Sequence, residues 1–105
     1  MGYYTQHQLQ VINGDSDLIR QFREENENAK YAMDDEGYTQ NECKWYESDN
    51  DMKAFSQKHP DALFQLDGVG EENDDVWRQW WQNGKCQTTK GVLVYEKYDK
   101  DKMVE

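Results

Sequence analysis

Covalent and conformational restraint are scarce in this chain. Its 105 residues include one proline, Pro60, and two cysteines, Cys43 and Cys86. The cysteines lie far apart and form no C-x-x-C pair, so reduced thiols in a cytoplasmic protein are expected. No apolar run approaches the roughly eighteen residues of a membrane span. Met1-Gly2-Tyr3-Tyr4-Thr5-Gln6 has neither the basic region nor the apolar core of a signal peptide. N-myristoylation would need Ser or Thr where Gln6 stands. Positive charge is scarce too, with 12 Lys and Arg against 22 Asp and Glu and a formal net charge of −10. Such a field repels phosphate backbones and anionic membrane surfaces, which disfavours direct binding to nucleic acid or membrane. What remains for the charge to serve is solubility or a basic partner.

Aromatic residues compensate for the modest 35% hydrophobic content: seven Tyr, four Trp and three Phe. The length suits a single domain with a core of its own. Phe64 to Tyr95 is the organising stretch. It carries Phe64-Gln65-Leu66, an acidic Gly-broken loop, Val76-Trp77-Arg78-Gln79-Trp80-Trp81-Gln82-Asn83-Gly84-Lys85 and Val92-Leu93-Val94-Tyr95. Asn83-Gly84 is its most specific signal, because a type I′ turn needs positive φ at both central residues. Val76 to Gln82 has helical spacing of Val76, Trp77, Trp80 and Trp81. The Asn-Gly turn and the β-preference of Trp and Val favour a strand, with Lys85–Thr89 as hairpin partner.

Tyr3 to Ile12 alternates Thr5, His7, Leu9 and Val11 with Gln6, Gln8 and Gln10, as a half-buried strand does. After Asn13-Gly14, Asp15 or Ser16 can cap a first helix over about Ser16–Met33, with Leu18, Ile19, Phe22, Ala29, Ala32 and Met33 as its stripe. Asp34-Asp35-Glu36-Gly37 ends it. A short strand is expected at Cys43–Tyr46, with Cys43 and Trp45 on one face. Ser48-x-x-Asp51 fits a capping box opening a second helix, anchored by Met52 and Phe55 and closed by His59-Pro60. Ala62, Phe64 and Leu66 alternate as a third strand, Asp67–Asp75 reads as a loop, and Val92–Tyr95 as a final strand. The expected fold is α+β, with two helices packed on one face of a mainly antiparallel, ferredoxin-like sheet. The domain spans 1–98, with a frayed tail over 99–105. The expected core comprises Leu9, Val11, Leu18, Phe22, Trp45, Met52, Phe55, Phe64, Leu66 and Val94.

Cys43-Lys44-Trp45-Tyr46, Asp51-Met52-x-x-Phe55-Ser56-x-Lys58-x-Pro60, Leu63-Phe64-x-Leu66, Gly70-Glu71-Glu72, Trp77 and Asn83-Gly84-Lys85 together resemble a family of small uncharacterised bacteriophage, prophage and mobile-element proteins of Gram-positive bacteria. More distantly the chain is similar to plasmid and phage proteins with a ferredoxin-like domain. The resemblance covers nearly the whole chain. It implies a fold and a mobile-element origin, and it names no catalytic residue.

Signatures for chemistry are weak. Gly68-Val69-Gly70-Glu71-Glu72-Asn73 lacks the third glycine of a dinucleotide fingerprint and places glutamates where a pyrophosphate needs free amides, so it reads as a flexible turn. Cys43, Cys86, His7 and His59 share no ligand spacing for zinc. Glu47, Asp49 and Asp51 lack the glycine and distal Glu of a calcium loop, leaving at most a weak adventitious divalent site. No nucleophile elbow, P-loop or Cys/His signature occurs. The expectation is therefore no catalysis, no cofactor and no resident metal. The acids cluster near element ends, and Glu47, Asp49, Asp51, Asp67, Glu71, Glu72, Asp74 and Asp75 are candidates for docking a basic host or phage protein, in imitation of nucleic-acid phosphates. The alternatives are a soluble accessory or assembly protein without inhibitory activity, and an enzyme. A partner indifferent to salt would shift attention to the aromatics around Tyr46 and Trp80.

Overall fold

The computed structural model describes residues 4–72, 75–91 and 98–104. Polar and apolar residues alternate along the first strand, β1 (Thr5–Asn13), which buries His7 and Leu9 while Gln6 and Gln10 stay exposed. Gly14 at φ +134° turns the chain out of it, and the Asp15 carboxylate accepts from the Asp17 amide at 2.9 Å to start α1 (Asp17–Glu25). A continuous helix to Met33 is not formed. Asn26 is extended at φ −140°, and its side-chain oxygen accepts from the Ala29 amide, so it closes α1 and caps a separate α2 (Glu27–Ala32). The competing principle is the strong preference of Asn for the N-cap position.

Cys43–Tyr46 does not become a strand. It makes one isolated bridge, Thr5 to Cys43, yet Cys43 and Trp45 are both buried as the alternation requires. The capping box at Ser48 is also absent. Helix α3 (Ser48–Lys58) begins without a side-chain cap, and the Asp51 carboxylate instead accepts from Trp45 Nε1 at 2.7 Å. His59 ends α3 before Pro60.

Strand β2 (Leu63–Gly70) runs four residues beyond Leu66 and absorbs the first four residues of the expected loop. Asp67, Gly68, Val69 and Gly70 pair with Gln8, His7, Gln6 and Thr5. Gly68 is needed there for space: a Cβ would lie 2.1 Å from Cζ2 of the Trp77 indole. Then β3 (Val76–Gln82) and β4 (Lys85–Lys90) form the expected hairpin, with Asn83 at φ +48° and Gly84 at φ +76°.

The architecture is α+β: the described residues form one antiparallel sheet in the order β1-β2-β3-β4, with three helices. The helices connect β1 to β2, which are direct antiparallel neighbours. The described residues thus form a meander, without the split β-α-β pairing of a ferredoxin-like plan. The core fills one sheet face. Phe22 of α1, Phe55 of α3 and Phe64 of β2 stack with ring centroids 4.6 and 5.4 Å apart, each pair contributing about 1 kcal/mol beyond burial. Leu9, Trp45, Met52 and Leu66 are buried with them, and Val11 and Leu18 pack partly buried against them. Ala29, Ala32, Cys43, Ala62 and Trp81 join the core as well. Val94 and the expected Val92–Tyr95 strand lie outside the described residues. At the C-terminus, Lys100–Lys102 forms a single exposed 3-10 turn.

Candidate functional site

Sheet register decides where the eight acidic candidates stand. Leu66 and Gln79 are paired, and Asp67 and Arg78 are the next pair along, so Gln79 and Asp67 point to opposite faces. The Asp49 carboxylate accepts from Gln79 Nε2 at 3.0 Å, which sets it over the core face of the sheet, that of Leu9 and Leu66. Asp67 lies on the other face, held by Arg78 through Nε at 2.8 Å and a second nitrogen at 3.2 Å. The structure therefore separates Asp67 from the α3 acids. The two-point contact raises the Arg78 pKa above its ordinary value, chiefly through the hydrogen bond to Asp67.

Glu71, Glu72 and Asp75 lie at the end of the sheet where β1 starts and β2 finishes. Glu71 accepts from the Tyr4 amide at 3.0 Å. Lys44 stands over the Tyr4 ring at 4.9 Å, and the chain then leads through Trp45 to Glu47 and α3. Glu47, Asp49, Glu71 and Glu72 are exposed, whereas Asp51 and Asp75 are half-buried. Asp74 lies outside the described residues. Several of these carboxylates also serve the fold: Asp51 fixes the Trp45 indole, Asp49 satisfies buried Gln79, and Glu71 ties down the start of β1.

The sheet face opposite the core was not anticipated as a surface. Gln8, Gln65, Asp67, Arg78, Trp80 and Thr89 share it, and Trp80 Nε1 donates to Gln65 Oε1 at 3.2 Å. A groove of about 390 Å³ lies along it between β2, β3 and β4. Its signal was present in the alternation of Gln6, Gln8 and Gln10, but reading Asp67–Asp75 as a loop removed Asp67 and Val69 from it. Of the two aromatics held in reserve, Tyr46 is exposed and Trp80 half-buried.

The potential soft ligands are dispersed. Cys43 is bridged to β1 and Cys86 lies on β4, at opposite edges of the sheet. Burial raises both thiol pKa values. His59 contacts the Phe55 ring at 4.8 Å and the Gln21 amide at 3.3 Å. His7 is buried between Trp45 and Trp77, with ring centroids 5.2 and 6.0 Å away. Desolvation holds its pKa down at about 4, against a smaller upward pull from the Thr5 backbone. Among the described residues no group of three or more His, Cys, Asp or Glu could hold a metal ion, and no helix is long and apolar enough to cross a membrane.

No family model matches the chain, and neither do the curated proteins or solved structures with which it was compared.

Proposed function

We propose that this is a small, non-enzymatic cytoplasmic protein of a phage or mobile element that docks on a basic host or phage protein. In that role it imitates nucleic-acid phosphates and inhibits a nucleic-acid-binding or defence factor. The observation that carries the reading is the exposure of Glu47, Asp49, Glu71 and Glu72 in a chain of net charge −10. Their field reaches over about 8 Å at physiological salt, and such contacts steer association and set specificity more than they add affinity. Asp67 contributes least, because Arg78 neutralises it on the other face.

The test begins with affinity capture from bacterial lysate and titration of the captured partner. Binding should weaken steeply with salt, compete with DNA or RNA, and vanish on charge reversal of Glu71, Glu72, Asp74 and Asp75. Circular dichroism of that variant should match the parent. A partner whose affinity ignores both salt and the reversal contradicts the proposal.

A further inference from the structure

The β3–β4 ladder identifies which backbone groups of β4 face outward. The Gly91 amide donates to the Val76 carbonyl at 2.7 Å, and the two-residue turn joins the pair Gln82 and Lys85. Hydrogen-bonded pairs alternate in an antiparallel ladder. Lys85, Gln87, Thr89 and Gly91 therefore bond inward, and Cys86, Thr88 and Lys90 turn their N–H and C=O groups outward. Those outward groups have no backbone partner among the described residues. All six β4 side chains are exposed. An edge strand in this state is a template for another strand.

We propose that β4 is a self-association edge, pairing antiparallel with β4 of a second copy about a two-fold axis at Thr88. The register follows from the outward groups: only an axis at Thr88 pairs Cys86, Thr88 and Lys90 of one copy with Lys90, Thr88 and Cys86 of the other. Lysine on an edge ordinarily discourages pairing, and like charges set directly opposite one another are destabilising. Centring on Thr88 sets Lys90 opposite Cys86 of the second copy and Lys85 opposite its Gly91, so no lysine faces lysine. It also brings Lys90 of each copy to the face on which the other holds Asp49. That carboxylate sits over Gln79, the cross-strand partner of Thr88, and its charge is felt at the Cys86 thiol. Thr88 meets Thr88, a favourable cross-strand pair. The pairing satisfies Cys86, Thr88 and Lys90 with about six backbone hydrogen bonds and makes one continuous eight-stranded sheet. It buries little side-chain area, so the dimer is weak and concentration-dependent.

This inference does not rest on docking to a basic partner, and salt distinguishes the two. Screening relieves the repulsion between two copies of net charge −10, so salt should strengthen self-association while weakening a basic complex. Sedimentation velocity of the full chain over a concentration series is expected to show a dimer that grows with protein and with salt. Thr88→Pro removes an N–H that β3 does not use, and it should weaken dimerisation about tenfold or more, about 1.4 kcal/mol. In a Cys86→Ser background, Thr88→Cys should form a disulfide-linked dimer on mild oxidation, because hydrogen-bonded pairs have Cα atoms about 5.5 Å apart. Thr89→Cys should not, since its counterpart is displaced along the strand. A monomer at every concentration, a dimer indifferent to Thr88→Pro, or equal cross-linking at Thr88 and Thr89 would overturn the proposal.

Discussion

The two edges of this sheet are finished in different ways. On β1, Thr5 exchanges backbone hydrogen bonds with Cys43 at 3.0 and 2.9 Å, the His7 carbonyl accepts from Thr39 Oγ1 at 2.8 Å, and the Leu9 amide donates to the Gly37 carbonyl at 2.8 Å. On β4 the corresponding groups of Cys86, Thr88 and Lys90 meet no backbone among the described residues. Sealing an edge without another strand takes a loop whose conformation is set residue by residue. Gly37 can lie against β1 only because it has no side chain: at φ +90° a Cβ would fall 2.0 Å from the Leu9 oxygen. The β4 edge, unpaired among the described residues, rests on brevity and two lysines, which discourage indiscriminate pairing and still leave one favourable register.

Breaking the sealed edge should have the largest effect. Gly37→Val introduces both a positive-φ penalty and a backbone collision, and should lower stability by about 4 kcal/mol in urea denaturation. Next comes acid. His7 on β1 is 2% exposed, and its pKa is about 4 when folded against 6.5 unfolded. Below about pH 6.5 the unfolded chain binds a proton that the folded chain does not. Stability is therefore full above that pH and declines by about 3 kcal/mol as pH falls to 4. His7→Leu should flatten that part of the profile, and the difference between the two denaturation series isolates it from the carboxylates. On the other side of the sheet, Gly84→Val should cost about 2 kcal/mol, because a β-branched residue resists φ +76° and its Cβ would lie 2.7 Å from the Gln57 amide. The smallest effect belongs to Thr88→Pro, whose thermal midpoint should show a loss under about 1 kcal/mol, since no ladder bond is removed.

The contrast between the edges also marks what the sequence made legible. Alternation along β1, the Asn83-Gly84 turn and the Met52 and Phe55 anchors are local signals, and they produced the elements expected. The β1 seal depends on residues distant in the chain, and of these only Gly37 carried a turn signal. Gly68 was misread because glycine in a strand and glycine in a turn look alike until Trp77 is known to cover it. Asn26 could have been found as an N-cap inside the long apolar stripe. Sequence located the acids, but not that Asp49, Asp51 and Glu71 hold structural hydrogen bonds, nor that Asp67 faces away from them.

Amide hydrogen exchange tests the difference between the edges most directly. At low protein concentration, the Thr5, Leu9, Gln87, Thr89 and Gly91 amides should be protected, while those of Cys86, Thr88 and Lys90 exchange at nearly solvent-exposed rates. Raising concentration and salt should slow the last three alone as the second copy pairs with them. Uniform protection along β4 in dilute protein, or rapid exchange of Thr5 and Leu9, would contradict the account.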